Sequence, residues 1–203
     1  MDLMGRGGAC AAAIDAVVIR ADGTRVDLGR VAFWHRSPWQ RAGYALRHLG
    51  ARPDGKRPDA RTLARLLRDA TGATVLTHAG KAIVTDRIKG AGGPEPAHIG
   101  WGTGAGTAAA GDTTLFTEKA VDLAAGTGTR TAGSSSRTTT AQANDTYQVT
   151  GTRTATGAGT VTNAGLFDNN AIGAGSLFMK GDFAGIGLAA GDSIAFTLTV
   201  QVA

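Results

Sequence analysis

The sequence predicts an α+β chain: a small N-terminal hairpin plus helices, followed by an antiparallel Gly/Thr-rich β-sandwich. Three observations carry that expectation. After Gly90 the texture changes, for residues 91–203 hold 20 Gly and 20 Thr but only 13 charged side chains. The chain closes on strict alternation, Ile194, Phe196, Leu198, Val200 and Val202 being interleaved with Ala195, Thr197, Thr199 and Gln201, the pattern of a strand with one wet face. Before Gly90, apolar residues recur at helical spacing between Pro and Gly stops.

The elements follow in order. Residues 1–13, Gly-rich and then Ala-rich, are expected to form a flexible arm. Ala16-Val-Val-Ile-Arg20 and Arg25-Val-Asp-Leu28 flank Asp22-Gly23, a short-range hairpin signal, and Val31-Ala-Phe-Trp34 adds an expected third short strand. Ser37-Pro38 fits an N-cap followed by Pro at the first helical position, opening a helix that runs to Leu49 and stops at Gly50. A Pro/Gly linker over 52–58 leads to Asp59, the cap of a second helix ending at Asp69. There Leu63, Leu66, Leu67 and Ala70 share one face and Arg61, Arg65 and Arg68 the other. Thr77 caps a third expected helix reaching Lys89, with Gly90 as its stop and Gly80 as a weak point.

Beyond residue 91 the expected sandwich takes strands from Tyr147-Gln-Val-Thr-Gly-Thr-Arg-Thr154, Ser176-Leu-Phe-Met-Lys-Gly-Asp-Phe183 and the closing segment. A polar strand or edge hairpin is expected over 127–140. Its core is expected to hold Phe167, Phe178, Phe183, Ile194, Phe196, Leu198 and Val200. The chain thus divides on paper into the arm, a basic α+β attachment region over 14–90, and the sandwich over 91–203.

Composition narrows the function. Of 203 residues, 42% are hydrophobic but only 5% aromatic, and 31 are Gly, so the core is built from small side chains. The formal net charge of +5 conceals an asymmetry. Residues 1–90 carry 16 Lys and Arg against 8 Asp and Glu, whereas residues 91–203 carry 5 against 8. A basic half suits nucleic-acid contact or docking on an acidic partner, although a solvated face looks the same. The single Cys10 excludes an intramolecular disulfide. No apolar run attains the roughly 18–20 residues of a membrane span, and Asp15 interrupts the opening Ala-rich stretch, so neither membrane contact nor a signal peptide is expected.

Catalytic signatures are missing. In Gly100-Trp-Gly-Thr-Gly-Ala-Gly106 the glycine spacing fits no dinucleotide loop, and no Lys-Ser/Thr follows to make a P-loop. This stretch is expected to be a Gly-rich turn packed under Trp101. His35, His48, His78 and His98 stand apart from one another and from Cys10, which gives no metal-ligand spacing. Glu95 and Glu118 do not form a glycosidase-like pair in sequence. The expectation is a protein with no catalytic residues, no cofactor and no metal. Trp34, Trp39 and Tyr44 interleave with Arg36, Arg41 and Arg47, a mixture suited to phosphates and stacked bases. It serves equally as the core of a small helical region, so nucleic-acid binding is the weaker reading.

From Val75 onward the order of short motifs resembles a module of tailed-bacteriophage structural proteins, similar to the N-terminal domains of tail-fibre or tail-collar proteins. The pieces are Leu76-Thr-His-Ala-Gly-Lys-Ala-Ile-Val84, His98-Ile-Gly-Trp-Gly-Thr-Gly104, Asp112-Thr-Thr-Leu-Phe-Thr-Glu118, Thr162-Asn-Ala-Gly-Leu-Phe-Asp168, Leu177-Phe-Met-Lys-Gly-Asp-Phe183 and Gly191-Asp-Ser-Ile-Ala-Phe-Thr197. One departure stands out: Asn163 occupies a position where the module often carries Glu. The resemblance implies a structural subunit of a phage virion, a tail or fibre-attachment part ahead of a capsid decoration (cement) protein. It implies other virion proteins as partners, a homo-oligomer with a trimer favoured, and location in the virion after synthesis in the bacterial cytoplasm. Arg61, Arg65 and Arg68 are the expected docking face. A nucleic-acid- or host-surface-binding module and a glycan-degrading appendage are the rivals.

Overall fold

The computed structural model describes residues 11–33 and 74–202. The chain runs β1 (Ala11–Ile19), β2 (Arg25–Phe33), β3 (Thr74–Leu76), α1 (His78–Lys89), β4 (His98–Gly102), β5 (Glu118–Lys119) and β6 (Thr131–Ala132). Then follow β7 (Ser134–Thr138), β8 (Thr146–Thr154), β9 (Gly159–Phe167), β10 (Leu177–Leu188) and β11 (Ser193–Gln201). One sheet has the order β2-β1-β11-β8-β7. The other has the order β3-β10-β9-β4-β5, with β6 also on β4. All pairings are antiparallel. The two sheets share one core, in which Ile14, Val18, Val149, Ile194, Phe196, Leu198 and Val200 of the first meet Ile99, Trp101, Leu166, Phe178 and Met179 of the second.

The N-terminal hairpin belongs to this sandwich. β1 begins at Ala11, inside the stretch expected to be a flexible arm, and pairs along its length with β11, from Ala11↔Gln201 to Ile19↔Ser193. The divisions expected near residues 13 and 90 therefore do not separate the hairpin from the β-rich half. The hairpin turn is the one Asp22-Gly23 signals. Arg20 N–H donates to Thr24 O (2.8 Å) and Gly23 N–H to Arg20 O (2.9 Å), and Gly23 has φ 84°, a left-handed conformation that glycine adopts without penalty. Asp192, from the β10–β11 turn, accepts from Ala21 N–H (2.9 Å) and Arg20 Nη1 (2.7 Å), tying the two turns together. The third strand expected over 31–34 is instead, as far as Phe33, the end of β2.

A single helix appears among the described residues, so an α+β class with several helices overstates the helical share; the architecture is mostly antiparallel β. The helices expected to end at Leu49 and Asp69, with Arg61, Arg65 and Arg68, lie outside the described residues. α1 itself has the expected caps. Thr77 Oγ1 accepts from Gly80 N–H at 2.9 Å, and Gly90, with φ 81°, donates to Arg87 O. Gly80 is no defect. A Cβ there would collide with the carbonyl oxygen of Phe178, so the missing side chain lets α1 lie against β10. Thr77 Oγ1 also donates to Leu177 O and to Phe178 O (the latter 3.2 Å), beside a β-bulge between Leu177 and Met179 that exposes those carbonyls to the helix start.

The stretch over 100–106 is no turn at its start: through Gly102 it is β4, with Trp101 fully buried. Ile194, Phe196, Leu198, Val200 and Phe178 lie in the main core, and Phe183 packs against it half-buried. Phe167 is buried too, but in a second small cluster with Leu115 and Leu177 on the other face of its sheet. The polar segment expected over 127–140 contains β6 and the edge strand β7, whose Ser134, Ser135, Ser136 and Arg137 are exposed.

Candidate functional site

Three central strands of the second sheet present a grid of paired residues on their outer face. Leu177, Phe167 and His98 form one row, Lys180, Gly165 and Gly100 the next, and Asp182, Asn163 and Gly102 the third. Side chains directly opposite across a ladder share a face, so the grid has three small positions near its centre. A strap of chain from Thr103 to Thr117 lies over them. A Cβ on Gly100 would sit 3.1 Å from Leu115 Cδ1, one on Gly165 3.0 Å from Leu115 Cδ2, and one on Gly102 would strike the Phe116 carbonyl. The glycines clear the ground on which the strap rests, and Leu115 fills it, closing the small cluster with Phe167 and Leu177.

Polar side chains clamp the strap. Asn163, fully buried, accepts from Phe116 N–H with Oδ1 (3.1 Å) and donates through Nδ2 to Phe116 O and Gly104 O (both 3.1 Å). Asp182 Oδ1 accepts from Ala108 N–H at 2.8 Å. Lys180, with no exposed surface, reaches Asp112 Oδ2 at 2.9 Å and Thr114 O at 3.0 Å, with Nζ 3.0 Å from the centre of the Phe116 ring. Burial draws the Lys180 ammonium below its ordinary range even though Asp112 opposes the change. Burial pushes Asp112 the other way, but the Lys180 ammonium and Ala109 N–H outweigh it and hold the carboxyl low. At the far end of the strap Glu118 takes both ends of the Arg130 fork, at 2.6 and 2.9 Å. Arg130 also donates to Asn169 O and Ala174 O and lies 3.4 Å from the centre of the Phe167 ring.

A third buried cation, Arg153, is 1% exposed and reaches from β8 across to the other sheet. It donates to Thr131 Oγ1 and to the carbonyls of Lys119, Thr129 and Ile99, and stacks 4.8 Å from the Trp101 ring. Burial pulls its guanidinium down to about 10, which leaves it charged at neutral pH. Each of these cations combines fixed acceptors with an aromatic face, an arrangement that holds a buried charge in place.

The motif pieces set out above therefore meet in space. His98–Gly104, Asp112–Glu118, Thr162–Asp168 and Leu177–Phe183 supply the grid, the two ends of the strap and the Asn163 and Lys180 clamps, while Ala108 and Arg130, which complete the other two, lie outside them. The remaining two pieces flank it, one as β3 with α1 and the other as the turn into β11. Sequence reading singled out none of Lys180, Asp112, Asn163, Arg130 or Arg153 as structural centres; the available signal was glycine at paired strand positions beside a lone Lys or Arg. His78 and His98 lie on separate elements, while His35 and His48 lie outside the described residues. Among the described residues no group of three His, Cys, Asp or Glu could hold a metal ion, and no helix is long and apolar enough to cross a membrane. No protein-family model, curated protein or solved structure matches the chain.

Proposed function

We propose that this chain is a non-catalytic structural subunit of a tailed-phage virion, a tail or fibre-attachment part that assembles through its β-sandwich and docks through its basic N-terminal region. The observation that carries the reading is the convergence of the motif set. Pieces recognised only by their order, with partners as far apart as Asp112 and Lys180, 68 positions in sequence, pack into one interlocked unit whose ionic and amide groups are spent on holding the strap down. Chemistry of that kind favours rigidity over turnover. The exposed Ser-rich edge strand β7 adds support, since a low-charge edge carries backbone donors and acceptors to which a neighbouring subunit can pair.

The reading is tested on particles. Phage banded from an induced culture and separated into heads and tails should carry the chain in the tail fraction at fixed copy number, and the isolated protein should behave as a trimer in mass-resolved chromatography. Recovery on heads alone would favour the decoration protein instead. Absence from particles, with a concentration-independent monomer in solution, would refute the virion assignment. Replacing Arg61, Arg65 and Arg68 together by Gln should weaken incorporation without unfolding the sandwich.

A further inference from the structure

The pairing of Lys180 with Asp112 does more than neutralise charge. The geometry points to a covalent cross-link: Lys180 Nζ and the Asp112 side chain condense to an isopeptide bond that staples the strap to β10, with the Asp182 carboxylate as the proton relay. Neither the virion assignment nor the oligomeric state enters into this.

Four features of the site fit the reaction. The nucleophile and the electrophile are already in contact, for Nζ lies 2.9 Å from Asp112 Oδ2. A nitrogen seated on a carboxylate oxygen lies at about 3–3.5 Å from the carboxyl carbon, the separation of a near-attack pair. Lys180 is held in one place by burial, by Thr114 O and by the Phe116 ring, so little freedom remains to be lost. A second carboxylate, Asp182, lies two residues along the same strand and therefore on the same face. It is anchored to Ala108 of the strap that also carries Asp112. Finally, the Asp112 side chain keeps 23% of its surface in solvent while that of Lys180 keeps 1%, so the water released has a way out of an otherwise dry site.

The atoms balance without a further reagent. The starting pair is an ammonium and a carboxylate. One proton moves from Nζ to the Asp112 carboxyl, leaving a neutral amine beside a neutral acid; burial of both groups favours this neutral pair, while their mutual attraction and the Ala109 N–H oppose it. The Nζ lone pair attacks the Asp112 carbonyl carbon and the C–N bond forms. Asp182 takes a second proton from nitrogen and returns it to the departing hydroxyl. The C–O bond breaks, one water leaves, the amide remains, and Asp182 recovers its original charge.

Intact-mass spectrometry of the denatured full chain tests this without any variant. The expected result is a mass lower than that of the sequence by one water, together with a branched proteolytic peptide joining the Lys180 segment to the Asp112 segment. Lys180→Arg and Asp112→Ala should each restore the full mass. Asp182→Asn, which keeps an acceptor for Ala108 N–H, should remain folded by circular dichroism and form the link at least tenfold more slowly. A full-mass wild-type chain after prolonged incubation in the folded state overturns the proposal. So does a water loss without the branched peptide, because a cyclised Asp gives the same mass, and so does an Asp182→Asn chain that links as fast as wild type.

Discussion

Asn163→Asp is the sharpest perturbation of the strap, because it changes a single NH₂ to oxygen at a fully buried position. In the native chain Nδ2 faces two carbonyl oxygens, Gly104 O and Phe116 O, each at 3.1 Å. Both carbonyls keep another donor after the change, Thr162 Oγ1 for Gly104 and Gly104 N–H for Phe116. Each lost bond therefore costs only about 1 kcal/mol. The larger part is charge: a carboxylate would face two carbonyls in a dry site, and an upward shift of two to three units, at about 1.36 kcal/mol per unit, adds roughly 3–4 kcal/mol. The variant should then be destabilised by about 4–6 kcal/mol at pH 8. The sign with pH follows from the raised folded-state pKa. The defect is smallest below the unfolded value of about 4, where the carboxyl is protonated in both states and can donate to one carbonyl, and it grows as pH rises toward the folded value. Urea unfolding of both proteins from pH 4 to 8 measures this. A difference that is constant with pH, or below about 1 kcal/mol at neutral pH, would mean that the amide does not clamp the strap.

Phe196→Ala should cost about 3–5 kcal/mol, the usual loss for a buried aromatic, whereas Thr197→Ala, on the half-exposed face of β11, should cost well under half of that in the same urea titration. Gly80→Ala should lower the melting temperature, although the same change in an open helix raises stability by about 1 kcal/mol; a rise would show that α1 does not rest on the Phe178 carbonyl. A fragment of residues 91–203 should fail to give a cooperative melt by circular dichroism, because it lacks β1 and leaves the inner edge of β11 unpaired. A chain restored from residue 11 should regain it.

The elements that alternate were legible, and those covered on both faces were not. β8 has a wet face and β11 an outer face of half-buried Ser, Ala, Thr and Gln with Thr199 buried, so period-2 patterning locates both, and hairpin and cap chemistry place β1, β2 and α1 through Gly23, Thr77 and Gly90. β9 escaped notice because core and strap cover its two faces. Val161 and Leu166 face the core, while Asn163, Gly165 and Phe167 lie under the strap, and no alternation survives. β4 read as a turn for a related reason. Clustered glycines read as a loop, but at Gly102 glycine is needed because a side chain would strike the Phe116 carbonyl, and at Gly100 it spares Glu118 and Leu115 from crowding.

The candidate site was hidden by a different rule. Lys and Arg on a strand are normally read as its wet face, since burying a charge is costly unless partners are fixed around it. Here three of the five cations in residues 91–203, Arg130, Arg153 and Lys180, are buried, and each partner set comes from a segment distant in sequence: Glu118 for Arg130, Asp112 for Lys180, backbone carbonyls for Arg153. The consequence reaches the surface. With those cations withdrawn, the β-rich half offers Lys119 and Arg137 to solvent against Asp122, Asp145 and Asp168, among others, so its outer charge leans acidic. Residues 34–73 hold nine Lys and Arg against three Asp. The charge balance of the chain is therefore set by residues 34–73 of the sequence, while the described β-rich half contributes little positive charge to solvent because burial has taken three of its five cations.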